Sequence, residues 1–234
     1  MSALAAAGWG AAGAVSLVIG AWLALRVRPA GSIVGLVMGF GAGALLAAVA
    51  YELVPAPALQ DGLTFTSLAT GALTFFALDR LVTRRQRPGA DTANRSIAIG
   101  ALLDGVPESL VLGMGLAAGG SVSVAFLVAV FVSNLPEGLG ASAGMRDAGV
   151  AHRRIYGLWW GIVVVSAVCA AIGYGLLRVV PGADGEYVQA FAAGAVLTML
   201  ADSMIPEAYH QGGKLTGLLT VLGFAVAGGL SLLE

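Results

Sequence analysis

The chain has 234 residues, of which 58% are hydrophobic and only 11% are charged, and its formal net charge is −1. Soluble domains carry about 25% charged residues, so this composition argues against a soluble globular protein. The near-neutral charge gives no indication of a nucleic-acid partner. The single cysteine, Cys169, cannot form an internal disulfide, and we interpret it as a small apolar packing residue.

Hydrophobic segments of about 20 residues, the length needed to cross a bilayer, follow one another along the chain. The linkers between them are short, which predicts one polytopic transmembrane domain over residues 1–234 without a soluble appendage. The predicted fold is therefore an all-α integral membrane protein with eight transmembrane helices. In chain order, these spans cover residues 3–25, 31–55, 62–83, 96–118, 120–145, 155–179, 187–210 and 213–233.

The basic residues predict the orientation of the spans, because cytoplasmic loops carry an excess of Lys and Arg. Arginines follow span one, span three and span five, and Lys214 lies between spans seven and eight. In the remaining loops Arg178 is the only Lys or Arg residue. We therefore predict a multi-pass protein of the cell's inner (plasma) membrane with both termini outside the cytoplasm.

Two segments from opposite halves of the chain resemble each other. Residues 39–55 read GFGAGALLAAVAYELVP and residues 190–206 read AFAAGAVLTMLADSMIP, with about seven of the seventeen positions identical. Because spans two and seven cross the membrane in opposite directions, the similarity predicts an inverted repeat, a common transporter architecture with its substrate site near the midplane. The identical pairs include Phe40 with Phe191, Gly43 with Gly194 and Pro55 with Pro206.

Proline and glutamate occur side by side inside both span four and span five. Span four contains the motif DGVPES, which begins at Asp104, and span five contains SNLPEG, which begins at Ser133. Proline in a helix frees a backbone carbonyl one turn earlier, and a carboxylate at this depth normally faces the protein interior. A spacing of four residues places Glu108 on the helix face of Asp104, and Glu137 on that of Ser133.

The short turn between spans four and five predicts that they pack as an antiparallel pair. Their polar faces then look into one space, with Asn134 at its edge. No Lys or Arg stands opposite these carboxylates within the membrane, because Arg80 and Arg178 lie at the ends of spans three and six. Since carboxylates in a low dielectric need a cation or a proton, we predict that a metal ion or protons supply the counter-charge. Neutral carboxyls that are hydrogen-bonded for packing are the structural alternative.

At these residues the sequence resembles the ZIP (Zrt/Irt-like) family of divalent metal transporters. The family's fourth and fifth helices carry motifs close to H-N-x-P-E-G and H-x-x-P-E-G. The segments AGALLAA before LVP in span two and AAGAVLTM before MIPEA in span seven are also similar to the bacterial ZIP pattern. The resemblance implies a ZIP-like helix bundle that moves metal towards the cytoplasm through a mononuclear or binuclear site between helices four and five.

The sequence departs from the family pattern at several metal-binding positions. Asp104 and Ser133 stand where the family has histidines, and Gly105 replaces an asparagine. Ser166 and Leu45 stand where bacterial members have a glutamate and a methionine. Because oxygen donors suit harder cations than imidazole does, Mn²⁺ and Fe²⁺ join Zn²⁺ among the predicted substrates. The site that the resemblance implies consists of Asp104, Glu108 and Glu137 with Ser133 or Asn134.

Further polar residues of spans two, six and seven define a candidate ion path. We interpret Glu52 as an entrance carboxylate, Asp202 as a relay, and Glu207 with His210 as exit ligands. Ser166 is the remaining candidate on this path. The alternative interpretation is that Glu52 and Glu207 are interfacial residues whose side chains reach the lipid headgroups, and that His210 is a solvated histidine at a helix end.

These observations predict a divalent metal cation transporter for zinc or another transition metal such as Mn or Fe. Two alternatives stay open, namely a proton-coupled carrier of another small cation and a non-transporting membrane partner that has lost its metal site. The sequence contains neither G-x-x-x-x-G-K-[ST] nor H-E-x-x-H, so we predict no ATP hydrolysis, no enzymatic activity and no cofactor. The predicted partners are the metal ion, the lipid bilayer and, as one form of assembly, a second copy of the chain.

Overall fold

The computed structural model describes residues 2–54, 61–84, 90–119, 123–179 and 185–233, without the side chains of residues 82–84, 90–99, 118–119 and 179. Pro55 of the internal repeat and the first residues of predicted span five lie outside these ranges. All regular secondary structure within them is helical. In chain order, the helices are α1 (Ala3–Arg26), α2 (Gly31–Ala48), α3 (Gly62–Arg84), α4 (Ala90–Gly119), α5 (Val124–Asp147), α6 (His152–Val179), α7 (Glu186–Met199), α8 (Ile205–Gly212) and α9 (Leu215–Ser231).

Two π-helical segments extend these helices. Val49–Leu53 continues α2, and Leu200–Met204 joins α7 to α8 in one continuous rod. In a π-helix an amide N–H donates to the carbonyl five residues earlier, as Val54 does to Val49 at 3.1 Å. Residues five apart therefore lie on the same side of the rod. The two segments occupy aligned positions of the internal sequence similarity, and single π-helical turns of this kind are frequent at functional sites.

Six segments of the described chain are long and apolar enough to cross a membrane, so the protein has the character of an all-α, multi-pass membrane protein. All eight predicted segments are helical, but two of them do not meet the length and apolarity of a span. Threonines and the pair Asp79 and Arg80 lower the hydrophobicity of α3, and α9 has only 17 residues. The six are Ala3–Arg26, Gly31–Leu53, Gly100–Ala117, Val124–Asp147, His152–Arg178 and Glu186–Gly212.

Glycines bring four pairs of helices into close contact. In each pair, one glycine from each helix lies so near the partner's backbone that a methyl group in its place would collide with it. Small residues at such crossings are typical of helix packing in membranes. The contacts are Gly20 with Leu135 and Gly138 with Leu17 between α1 and α5, Gly113 with Ala170 and Gly173 with Leu110 between α4 and α6, Gly43 with Thr220 and Gly223 with Phe40 between α2 and α9, and Gly71 with Phe191 and Gly194 with Leu68 between α3 and α7.

These crossings divide the helices into two groups. Helices α1, α4, α5 and α6 pack mainly on one another, whereas α2 packs on α8 and α9, and α3 on α7. The contact of α2 along α5 joins the two groups. The prediction that spans four and five pack as an antiparallel pair is wrong, because the contact between α4 and α5 is small. Helix α4 packs instead along α6, and α5 along α1. The glycine of α4 that allows close approach faces α6, and the corresponding glycine of α5 faces α1. The two helices therefore have different close partners.

A buried apolar cluster formed by α2, α4, α5 and α7 occupies the region between the two groups. A second cluster packs α1 against α6 around Trp159, which is completely buried. The indole N–H of Trp159 donates to the hydroxyl oxygen of Ser142 on α5 at 2.7 Å. This hydrogen bond satisfies the one polar atom of a large side chain and ties α6 to α5.

Candidate functional site

A cavity of about 120 Å³ lies between the polar faces of α4 and α5. We call it the acidic cavity. Helices α4 and α5 contribute their motif residues, and the opposite wall comes from α2, α7, the second π-helical segment and α8. Among the residues that the structure describes, nine line the cavity: Met38, Asp104, Glu108, Ser133, Glu137, Met199, Ser203, Met204 and Glu207.

The most buried acid of the acidic cavity is Glu108, whose side chain is 2% exposed. Its Oε2 atom is buried and makes no hydrogen bond with any described residue. Neither Glu108 nor Asp104 nor Glu137 forms a salt bridge within the described chain. Because a buried carboxylate without a partner is strongly unfavourable, this oxygen requires a proton or a cation that enters the cavity.

Helix α5 supplies the second half of the site. Ser133 is 2% exposed, and its hydroxyl donates to the carbonyl of Val130 at 2.9 Å. That bond uses the hydroxyl proton, so the lone pairs of Oγ remain available to accept or to ligate. Glu137 follows one turn later on the same face, and the helix continues through Pro136.

The carboxylates of the acidic cavity do not form a closed coordination sphere. In the part of the chain that the structure describes, no three His, Cys, Asp or Glu side chains lie close enough together to hold one metal ion. The acids instead stand on the walls of a space with room for a small cation. An ion bound there must complete its coordination with donors of other kinds.

Of the remaining residues predicted at the metal site or on the path, several lie away from the acidic cavity. Asn134 is 4% exposed but does not line it. Ser166 is also buried, and its Oγ lies 3.7 Å from the position that a Cβ would take on Gly105. Asp202 and His210 are exposed on the rod formed by α7 and α8.

Glu207 does line the acidic cavity, although it is an exposed residue. One of its oxygens, Oε1, accepts a hydrogen bond from the side-chain amide of Gln211, one turn along α8. The amide holds the carboxylate in place and leaves the other oxygen free of that bond. Glu207 therefore lines the acidic cavity with its carboxylate held by a neighbouring side chain.

Glu52 lies in a separate cavity of about 60 Å³, which we call the second cavity. Ser123 and Gln189 are its other polar lining residues, and Leu112 and Phe126 are among the apolar ones. On α4, α5 and α7, and on α2 with its π-helical continuation, the residues that line the second cavity are displaced along the helix from those that line the acidic cavity. The two cavities therefore occupy successive levels of one bundle.

Apolar side chains separate these two levels. On α2, α5 and α7, the residues Leu45, Val130 and Val196 lie between the positions that line the two cavities, and each is at most 3% exposed. We call these three residues the apolar barrier. All three belong to the buried apolar cluster between the two groups of helices.

Sequence reasoning missed four residues of the acidic cavity, namely Met38, Met199, Ser203 and Met204. Met38 and Ser203 belong to no motif, and Met199 and Met204 stand in the quoted segments AAGAVLTM and MIPEA without an assigned role. An α-helical phase would turn Met204 well away from the face of Met199. The π-helical segment brings the two to the same side because they are five residues apart. The internal repeat could have pointed to these residues, because it aligns Leu200–Met204 with Val49–Leu53, the segment that contains Glu52.

No protein-family model matches the chain, and no curated protein matches it either. The assignment of function therefore depends on the chemistry of the two cavities and on the membrane character of the helices.

Proposed function

We propose that the chain is a ZIP-like transporter of divalent metal cations, which pass towards the cytoplasm between α4 and α5. The observation that carries the proposal is the buried, unpartnered Oε2 of Glu108, which belongs to a cavity that Asp104 and Glu137 also line. Three acids without a basic partner among the described residues of a membrane protein favour a mobile positive charge as the ligand. Zn²⁺, Mn²⁺ and Fe²⁺ are the candidate substrates, because all three accept carboxylate ligands.

The proposal includes eight spans arranged as an inverted repeat. The glycine contacts support this repeat, because the contacting residues have the same sequence spacing where α1 crosses α5 and where α6 crosses α4. Leu17 and Gly20 of α1 stand three residues apart, as do Ala170 and Gly173 of α6. Exposed apolar side chains also extend along the two helices that fall short of a span, for example Leu73 on α3 and Leu218 on α9.

In the orientation that the arginines favour, both termini lie outside the cytoplasm of a plasma-membrane protein. The second cavity, with Glu52, then lies in the outer half of the bundle, and the acidic cavity with Glu207 lies in the inner half. An ion would be attracted by Glu52, would cross the apolar barrier and would reach Glu108. Movement of the group α1, α4, α5 and α6 against the other helices would open that barrier.

The test is metal uptake into proteoliposomes. The double variant E108Q/E137Q keeps the shape of both side chains but removes two charges, so we expect at least a tenfold loss of Zn²⁺ and Mn²⁺ uptake. E186Q is the matched control, because Glu186 is an exposed acid in the first turn of α7, outside both cavities. Equal uptake by the wild type and the double variant would refute transport through this site and favour a non-transporting partner.

A proton-coupled carrier of another small cation is the second candidate. The absence of three converging His, Cys, Asp or Glu ligands in the described chain favours it, because a proton needs only one acceptor. A pH-sensitive dye inside the same vesicles separates the two candidates. Proton influx that depends on Glu108 and occurs without added transition metal supports this carrier, whereas metal uptake without proton movement supports the first proposal.

A further inference from the structure

The walls of the acidic cavity have an unusual composition. Each of the nine described residues that line it carries an oxygen or a sulfur atom in its side chain, and each apolar one among them is a methionine. The chain has only six methionines, and three of them, Met38, Met199 and Met204, are gathered here. In a chain that is 58% hydrophobic, leucine, valine or alanine would be the ordinary choice for packing beside a cavity.

The backbone is arranged so that two of these methionines face the cavity together. Met199 ends α7 and Met204 ends the π-helical segment, and the five-residue repeat of that segment places them on one side of the rod. Met38 approaches from α2. Met38 and Met199 are 6% and 3% exposed, so their sulfur atoms are shielded from bulk solvent.

The acidic cavity thus has two chemically different faces. Carboxylates come mainly from α4 and α5, and thioethers come from α2 and from the rod of α7 and α8. Thioether sulfur is a soft, polarizable donor that selects soft metal ions, whereas carboxylate oxygen binds hard and soft divalent ions alike. The acids of the described chain do not by themselves complete the coordination of a metal ion, and the sulfur atoms are further donors for it.

We propose that Met38, Met199 and Met204 form a thioether face through which the site selects soft, thiophilic cations over hard ones. The inference rests on the proposed function, because it concerns which ion the transport site accepts. It reverses the preference for Mn²⁺ that the oxygen-rich sequence motifs favour. Cd²⁺ and Mn²⁺ are suitable probes, since they carry the same charge and differ in their affinity for sulfur.

The first experiment measures the ratio of Cd²⁺ to Mn²⁺ affinity by calorimetry on the purified full chain in a Cys169→Ser background. The triple variant M38L/M199L/M204L removes three sulfur atoms and nearly conserves volume, so packing changes little. We expect the ratio of Cd²⁺ to Mn²⁺ affinity to fall at least tenfold in this variant. M114L is the matched control, because Met114 is a buried methionine on α4 that lines a different, apolar cavity.

An unchanged ratio in the triple variant would overturn the inference. X-ray absorption at the cadmium edge gives a second readout that does not depend on the variant's folding. A sulfur shell around Cd²⁺ in the Cys169→Ser protein supports the thioether face, and an oxygen-only shell contradicts it. If E108Q/E137Q transports normally, the proposed function fails. If that double variant is inactive while the triple variant keeps the wild-type ratio, only the present inference fails.

Discussion

Replacement of Gly41 by alanine should disturb the candidate site through the backbone of α5. Gly41 lies on α2 against Ser133, and a Cβ built there would stand 2.7 Å from the Cα and 3.0 Å from the backbone nitrogen of Ser133. Ordinary contact begins at 3.4 Å, so the helices must separate by roughly 0.7 Å. A methyl group has no alternative rotamer, and backbone atoms cannot turn aside.

The expected cost combines two opposing effects. Overpacking of this kind destabilises a protein by about 1–3 kcal/mol, and alanine regains up to about 1 kcal/mol over glycine within a helix. A net loss of about 1–2 kcal/mol corresponds to a fall in Tm of roughly 2–8 °C for a chain of this size. A shift of Ser133 beyond about 0.5 Å also exceeds the tolerance of a well-built site, so metal affinity should fall as well.

The assay is thermal unfolding of the purified protein in detergent, followed by calorimetric titration with Zn²⁺. Gly144→Ala is the control, because Gly144 lies on α5 with nothing within 4 Å of the position that a Cβ would take, and it should be neutral or slightly stabilising. A Gly41→Ala protein with wild-type Tm and wild-type Zn²⁺ affinity would show that α2 and α5 do not pack as described.

Two further predictions concern the packing of α6 and the orientation of the chain. Trp159→Phe removes an indole N–H that donates to a buried serine hydroxyl and should cost about 1–2 kcal/mol in thermal unfolding, whereas Trp160→Phe, at a side chain 52% exposed, should cost much less. In a Cys169→Ser background, Gly149→Cys should react with an impermeant thiol reagent only after the cells are opened to expose the cytoplasmic side. Leu233→Cys should react with the same reagent in intact cells. The reverse pattern would contradict the orientation that the arginines favour.

The sequence identified the helices well because hydrophobic length is a local property. Predicted span two ends at residue 55 and the helical segment ends at Leu53, and the predicted eighth span begins within two residues of α9. The motif residues Asp104, Glu108, Ser133 and Glu137 were also found, since spacing of four residues and the cost of burying charge determine which face turns inward.

The remainder of the site depends on features that a linear pattern does not encode. The close partner of α4 is α6 because of where two glycines meet backbone carbonyls, and such contacts require three-dimensional packing. Asn134 follows Ser133 directly, and the 100° turn between neighbouring residues of an α-helix takes it off the face that lines the acidic cavity. Met204 escaped notice because hydrophobic patterns assume an α-helical repeat throughout.

The widened turn between α7 and α8 makes this rod unusually tolerant of a change in length. Bonding five residues back instead of four means that the turn holds one amino acid more than a regular helix would need. Loss of an outward-facing position such as Ala201 would restore regular winding and leave the flanking methionines four residues apart, still on a common side. The same deletion one turn before this stretch would rotate everything downstream by about 100° and carry Glu207 away from the acidic cavity.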